Sequence, residues 1–229
     1  MRISNEIFFD FLITMLLLSN VAYCIEIKED GVYKEYYPNG NIKSETTFKN
    51  GKKNGIYRSY YKAGEIFEVS IYNDGRQEGV SKRYHENGNL YDERAFTKGV
   101  QVGRDVSYFE NMKIEAEGFY NNGKKEGSYK LYYKNRNLKD ETLYKDGKIE
   151  LVKKFYENGQ LESYAEYKDG ISQGVRKYYD EKGNLRVVEQ YEDSRLRNRK
   201  VYDEKGILVG PFGKLRTFLD TIPIIKSFF

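Results

Sequence analysis

The chain of 229 residues contains no tryptophan, one histidine, one cysteine and three prolines. The cysteine, Cys24, lies at the end of an apolar N-terminal segment, so the rest of the chain can form no disulfide and no thiolate metal site. The histidine, His85, has no second histidine or cysteine to act with, which disfavours Ser/His/Asp and Cys/His nucleophiles. These absences predict a protein that is not an enzyme.

The charges also lack a pattern of one sign. Lys and Arg number 39 against 35 Asp and Glu, giving a net charge of +4, and the signs are interspersed. A nucleic-acid binder would concentrate basic residues on one face. The sequence has no Walker loop, dinucleotide fingerprint or EF-hand loop. We therefore expect no nucleic-acid partner, no cofactor and no metal.

Aromatic residues are abundant, with 23 Tyr and 13 Phe making up the whole of the 16% aromatic content. Tyrosine combines an apolar ring with a polar tip, which suits half-buried sheet surfaces better than a deep aliphatic core. The composition thus favours a thin sheet over a globule.

Residues 1–24 are predicted to form a signal peptide or an N-terminal membrane anchor. The apolar run FLITMLLL, from Phe11 to Leu18, is followed by Ala22 and Cys24 at the small-x-small spacing of a signal-peptidase site. An uncleaved anchor and a lipoprotein with Cys24 lipidated are alternatives. All three predict that the rest of the chain is exported, to the periplasm, the outer envelope or the medium.

An internal repeat of 23 or 24 residues fills residues 25–210, which we treat as one domain of seven to eight units. Its aromatic-pair motif recurs as YYPNGNI at residue 36, YYKAGEI at 60, YHENGNL at 84, YFENMKI at 108, YYKNRNL at 132, FYENGQL at 155, YYDEKGNL at 178 and VYDEKGIL at 201. Each unit carries two turn signals, such as Asn39-Gly40 and Asn50-Gly51, which supply the positive φ of tight hairpins. Two turns per unit predict two short antiparallel strands per unit.

Alternation within the strands predicts two different faces. In the first unit, Ile42 and Phe48 are six residues apart and should share one face with the small Thr46, while Lys43 and Glu45 should point the other way. Consecutive hairpins without helical crossovers pair side by side and form a meander in which each unit contacts its neighbours. The predicted fold is therefore all-β, an elongated single-layer antiparallel β-meander of tandem hairpins.

Residues 211–229 are predicted to cover one end of this sheet. Leu215, Phe218, Leu219 and Ile222 follow the spacing of an amphipathic helix, and an exposed sheet end needs a cover. We expect a short C-terminal helical cap. The alternative is a role of this tail at a membrane surface or on a partner.

The repeat resembles a known family. Gly-x-x-x-x-Tyr-Tyr-x-Asn-Gly-x-Leu, followed by Tyr/Phe-x-Asp/Asn-Gly-x-x-x-Gly, is similar to the bacterial variant of the MORN repeat. The resemblance implies an elongated sheet of hairpins that serves as an interaction surface for protein or membrane partners. Met112 and Arg136 stand where the first turn usually has glycine, so we predict that these two turns differ in type.

The candidate binding residues are the aromatic pairs of the first strands. They are Tyr36, Tyr37, Tyr60, Tyr61, Tyr84, Tyr108, Phe109, Tyr132, Tyr133, Phe155 and Tyr156. Neighbours alternate faces, so one row should pack against the second strands. The other row is either covered as well or forms a ladder of rings for a partner's side chains, peptide or sugars. His85 is interpreted as a substitute for an aromatic residue of this ladder.

The leading hypothesis is a non-enzymatic exported scaffold that binds a protein partner in the cell envelope through an aromatic and charged sheet face. One alternative is an envelope anchor that binds glycan or lipid. Another is an antitoxin or immunity protein that binds a cognate toxin. The oligomeric state is left open at this point.

Overall fold

The computed structural model describes residues 28–210, and every regular element in this range is a β-strand. The strands are β1 (Gly31–Tyr36), β2 (Ile42–Lys49), β3 (Lys52–Tyr60), β4 (Ile66–Asn73), β5 (Arg76–Tyr84), β6 (Leu90–Thr97), β7 (Val100–Tyr108), β8 (Ile114–Asn121), β9 (Lys124–Lys125), β10 (Gly127–Tyr132), β11 (Leu138–Lys145), β12 (Lys148–Phe155), β13 (Leu161–Lys168), β14 (Ile171–Tyr179), β15 (Leu185–Glu192), β16 (Arg195–Tyr202) and β17 (Leu208–Gly210). The predicted all-β fold is confirmed. The predicted N-terminal segment and C-terminal helical cap lie outside the described residues.

The strands form one open antiparallel sheet in which each hairpin pairs with the next. β9 and β10 are two parts of one row, because both pair with β8 and only Glu126 separates them. The edges of the described sheet are β1 and β17, each of which pairs with a single neighbour. Every contact across the sheet is therefore local in sequence, as the tandem repeat predicts.

Both turns of each unit have a recurrent geometry. In the first turn, the amide of Gly40 donates to the Tyr37 carbonyl at 2.9 Å, and the Tyr37 amide donates to the Asn41 carbonyl at 2.8 Å. In the second turn, Asn50 and Gly51 have φ values of 51° and 73°. Two consecutive positive φ angles are typical of the type I′ hairpin, whose twist matches that of the flanking strands.

The prediction that the turns at Met112 and Arg136 differ in type was wrong. Met112 has φ 62° and Arg136 has φ 78°, and both stay in the left-handed region. Their amides donate to the carbonyls of Phe109 and Tyr133 at 2.9 Å, as the glycine of the first unit does with Tyr37. Pairing of the strands on both sides holds these residues in a conformation that a side chain disfavours.

We therefore expect Met112→Gly to raise stability. Removing the side chain relieves the steric cost of a left-handed backbone, which is about 1 kcal/mol. Urea denaturation followed by circular dichroism measures the gain. The reverse change, Gly88→Met at φ 82° in the preceding unit, should destabilise by a similar amount. An unchanged or lower stability of Met112→Gly would contradict this reading of the turn.

A β-bulge adjoins the first turn of each unit and changes which residues share a face. In the first unit the register shifts between Glu35 and Tyr36, so that Ile42 pairs with Tyr36. Phe48 instead packs edge-on against Tyr33, with ring centroids 5.2 Å apart. Tyr33 and Tyr36 lie three residues apart and so point to opposite faces. The expectation that Ile42 and Phe48 share a face was wrong, because it did not include the bulge.

One face of the sheet, here named the packed face, carries a row of buried small and charged side chains. They are Ser44, Thr46, Ser70, Ser81, Asp92, Asp105, Thr142 and Glu189. Larger neighbours on the same face cover them, among them the rings of Tyr57 and Tyr72, which meet edge-on at 6.1 Å. A single layer can thus bury polar groups, provided that each group finds a partner.

The opposite face, here named the open face, carries cross-strand pairs of charged residues. Proceeding from β1 to β12, these are Lys34, Glu45, Arg58, Lys82, Glu93, Glu117, Lys130, Glu141 and Lys153, interrupted by Val69 and Val106. Opposite charges that face each other across strands favour the observed register. The prediction that one face packs and the other is solvated agrees with this arrangement.

Candidate functional site

The predicted aromatic row is divided between the two faces. The first residue of each pair continues the strand parity of the open face; these are Tyr36, Tyr60, Tyr84, Tyr108, Tyr132 and Phe155. The second residue turns to the packed face; these are Tyr37, Tyr61, Phe109, Tyr133 and Tyr156. Only Tyr36, which is 58% exposed, is an exposed side chain, and the others are half-buried. Their binding role stays a prediction.

Two open-face tyrosines join the charged pairs. The Tyr60 hydroxyl donates to Glu45 and the Tyr132 hydroxyl donates to Glu117, both at 2.8 Å. Burial, with a smaller effect of Glu117, raises the pKa of Tyr132 to about 12. The hydrogen bond from Arg104, followed by that from Tyr132, lowers the pKa of Glu117. Hydrogen bonds to the charged residues therefore fix the positions of these two tyrosine side chains.

The ion pairs of the open face are well aligned but exposed. Lys34 lies 2.9 Å from Glu45, and Lys82 lies 2.8 Å from Glu93. The hydrogen bond from Lys34 is the main cause that lowers the pKa of Glu45. Exposed pairs of this kind contribute only about 0–1 kcal/mol each. These ion pairs therefore contribute more to the charge pattern of the open face than to the stability of the fold.

The packed-face members of the aromatic pairs join one unit to the next. Their hydroxyls donate to the backbone carbonyl of the residue that ends the first strand of the following unit: Tyr37 to Tyr60 at 2.7 Å, Tyr61 to Tyr84 at 2.7 Å, Tyr133 to Phe155 at 2.8 Å and Tyr156 to Tyr179 at 2.8 Å. His85 occupies the same place, with Nε2 2.8 Å from the Tyr108 carbonyl oxygen. The interpretation of His85 as an aromatic substitute is confirmed.

The fourth unit departs from this pattern. Phe109 has no hydroxyl, so the Tyr132 carbonyl receives no such bond from it. A groove of about 440 Å³ opens there on the packed face. It is lined by Tyr91, Ser107, Phe109, Glu115, Ala116, Leu131, Tyr132, Tyr133, Lys134 and Lys139. Phe109, Tyr132 and Tyr133 are the predicted site residues that the structure brings together.

A stripe of exposed apolar side chains on the open face was missed by the sequence reasoning. This apolar stripe consists of Val32, Ile56, Ile71, Val80 and Phe119, which are 61%, 43%, 45%, 48% and 51% exposed. Ile56 and Ile71 are direct cross-strand partners. A signal was available, because Val32, Ile56 and Val80 each follow the glycine that opens a unit.

The described residues contain neither a cluster of metal ligands nor a membrane-spanning helix. In residues 28–210, no group of three or more His, Cys, Asp or Glu side chains is arranged to hold a metal ion. Within the same range, no helix has the length and apolar character needed to cross a membrane. The two candidate binding features are the apolar stripe on the open face and the groove on the packed face.

The fold and these surfaces define an open-sheet repeat protein. The family model of the MORN repeat variant matches the chain at four places, residues 29–50, 77–97, 151–169 and 172–193. MORN repeats are generally non-catalytic modules that bind proteins or membranes. No curated protein matches the chain. Among solved structures, a chain in the "Crystal Structure of TcdB2-TccC3-Cdc42" is 12% identical, with a TM-score of 0.15. The match covers 78% of the present chain and 13% of that one.

Proposed function

We propose that this protein is a non-enzymatic scaffold, exported to the cell envelope, which binds a protein partner through its open face. The observation that carries the proposal is the apolar stripe, which lies beside a row of alternating charges on a face that no other described element covers. Contiguous exposed apolar surface with a polar border is typical of protein interfaces.

The dimensions of the stripe suit such an interface. It extends from β1 to β8, which at about 4.8 Å per strand corresponds to about 34 Å. A stable interface buries about 800 Å² on each partner, a patch of similar width. The adjacent Lys and Glu residues would set the orientation of the partner, since complementary charges contribute specificity more than affinity.

Export is supported by the N-terminal segment, whose apolar run and small-x-small spacing are those of a signal peptide or anchor. Cys24 would carry the lipid in the lipoprotein alternative. The four matches to the MORN repeat variant support a binding role in general, because such repeats bind proteins or membranes.

The proposal is tested by charging the stripe. Ile71→Lys places an ammonium group in its centre, and we expect capture of the partner from envelope fractions to fall about tenfold or more, since burying an unpaired charge is costly. The matched control is Ile171→Lys, which is 50% exposed but lies beside a second turn. Quantitative mass spectrometry of captured proteins measures both.

Two outcomes would contradict the proposal. The first is recovery of peptidoglycan or lipid alone, without protein, which would favour an envelope anchor. The second is equal capture by the two lysine variants and the unmodified chain. Capture of a single toxin, lost in Ile71→Lys, would retain the open-face interface and replace the envelope partner with a toxin.

A further inference from the structure

The fourth unit differs from the two preceding units at a second position besides Phe109. In the second and third units, the packed-face ring meets another ring from the start of the next strand: Tyr61 meets Phe67 at 5.2 Å and His85 meets Tyr91 at 5.0 Å, both edge-on. The equivalent of Phe67 and Tyr91 in the fourth unit is Glu115. The ring of Phe109 therefore has a carboxylate where the preceding units have an aromatic neighbour.

Both of these residues line the groove. An aromatic neighbour and a hydroxyl tip are replaced by a shorter acid and a bare phenyl ring, above the small side chains of Ser107 and Ala116. Tyr132, whose carbonyl would accept the missing bond, lines the groove. A second hollow of about 490 Å³ continues it toward His85 and shares Tyr91, Phe109, Glu115 and Lys134. Together they form a trough along the first-turn edge of the packed face.

The charges of the trough indicate what it would accept. Glu110 lines only the second hollow and Lys139 only the first, while Glu115 and Lys134 line both. The Lys139 ammonium is 5.6 Å from the centroid of the Tyr133 ring. Ammonium groups attract the electron-rich face of a ring and a carboxylate, and they repel a cation. An incoming aromatic ring with an acidic neighbour thus fits better than a basic side chain.

We propose that this trough binds a tyrosine side chain from an extended segment of a partner protein. The phenol donates a hydrogen bond to the Tyr132 carbonyl, its ring packs on Phe109, and an adjacent acidic residue pairs with Lys134 or Lys139. The interaction reproduces in trans the ring-to-carbonyl bond that the other units make in cis. It goes beyond the open-face interface, because the trough lies on the opposite face of the sheet.

The sharpest variant is Phe109→Tyr. The new hydroxyl should donate to the Tyr132 carbonyl as its counterparts do in other units, so the melting temperature should rise while tyrosine binding falls about fivefold or more. Glu115→Tyr restores the aromatic neighbour of the third unit and should block the trough by bulk. The matched control is Phe155→Tyr, which adds a hydroxyl on the open face and should leave binding unchanged.

The probe is the peptide acetyl-Asp-Tyr-Gly-amide, titrated into the full chain while the NMR signals of Phe109, Ala116 and Leu131 are followed. Two analogues carry Phe in place of Tyr, or Lys in place of Asp. We expect each analogue to bind about fivefold more weakly, through loss of one hydrogen bond or one charge pair. Expected as well is normal peptide binding by Ile71→Lys, which separates failure at this site from failure of the open-face proposal.

Three results would overturn the inference. Equal binding of the three peptides would show that neither the phenol hydrogen bond nor the charge pair contributes to binding. Binding of phenol alone as tightly as the peptide would make the trough a small-molecule site. Full binding by Phe109→Tyr, in a variant that shows the expected rise in melting temperature, would place the peptide elsewhere.

Discussion

Asp92→Ala is expected to destabilise the sheet by about 1.5–3 kcal/mol, the usual contribution of hydrogen bonds to a charged group. The Asp92 side chain is 1% exposed and accepts hydrogen bonds from both Arg83 and Arg94. Arg94 also lies 3.5 Å from Asp105. Alanine would leave two guanidinium groups on the packed face without their shared carboxylate.

The measurement is urea denaturation followed by circular dichroism, with a surface pair as control. Glu192→Ala removes a carboxylate that lies 2.9 Å from Arg197, but both side chains are at least half exposed. Its cost should stay below about 1 kcal/mol. Equal effects of the two substitutions would show that Asp92 is solvated, and the packed face would then not bury its charges.

Gly118→Ala is expected to destabilise by about 1–3 kcal/mol, the range typical of overpacking. Gly118 lies in β8 with ordinary strand geometry, and a Cβ there would overlap the ring of Tyr129. At an unobstructed strand position the same change would stabilise, because glycine loses more backbone entropy on folding than alanine. The sign of the change in stability therefore shows whether the Tyr129 ring lies against Gly118.

The ring of Tyr129 also contacts a lysine side chain. The Lys125 ammonium lies 3.6 Å from its centroid, and burial raises the pKa of Tyr129 to about 12. In a Tyr129→Ala background the overlap disappears, so Gly118→Ala should become neutral or stabilising. A double-mutant cycle that gives no coupling between the two positions would refute the close approach.

Much of the fold could be predicted from the sequence because the turn residues are explicit. Asn-Gly and Asp-Gly pairs with short alternating segments between them predicted the hairpins and their order. The bulge beside each first turn was not predictable from alternation, so the face of Ile42 was assigned wrongly. The turn type at Met112 and Arg136 was predicted wrongly, because the pairing of the strands on either side outweighs the intrinsic preference of these residues for a negative φ.

The candidate site was predictable only in part. Alternation correctly divided Tyr36 from Tyr37, but the bond from Tyr37 to the Tyr60 carbonyl joins residues 23 apart in the chain. Such a bond depends on the stagger between neighbouring hairpins, which local patterns do not contain. The trough did have a sequence signal at Phe109, where most other units have tyrosine, whereas the position of Glu115 varies from unit to unit. Interpreting this signal required the contacts that the equivalent residues of the other units make in the structure.

The central claim is that the repeats form one open ribbon whose faces, and not an enclosed pocket, make the contacts. Small-angle X-ray scattering of the full chain tests it most directly. Sixteen rows of strands at about 4.8 Å predict a longest dimension of about 70 Å or more. The radius of gyration should then clearly exceed about 17 Å, the value for a compact chain of this length. A radius near 17 Å would contradict the account.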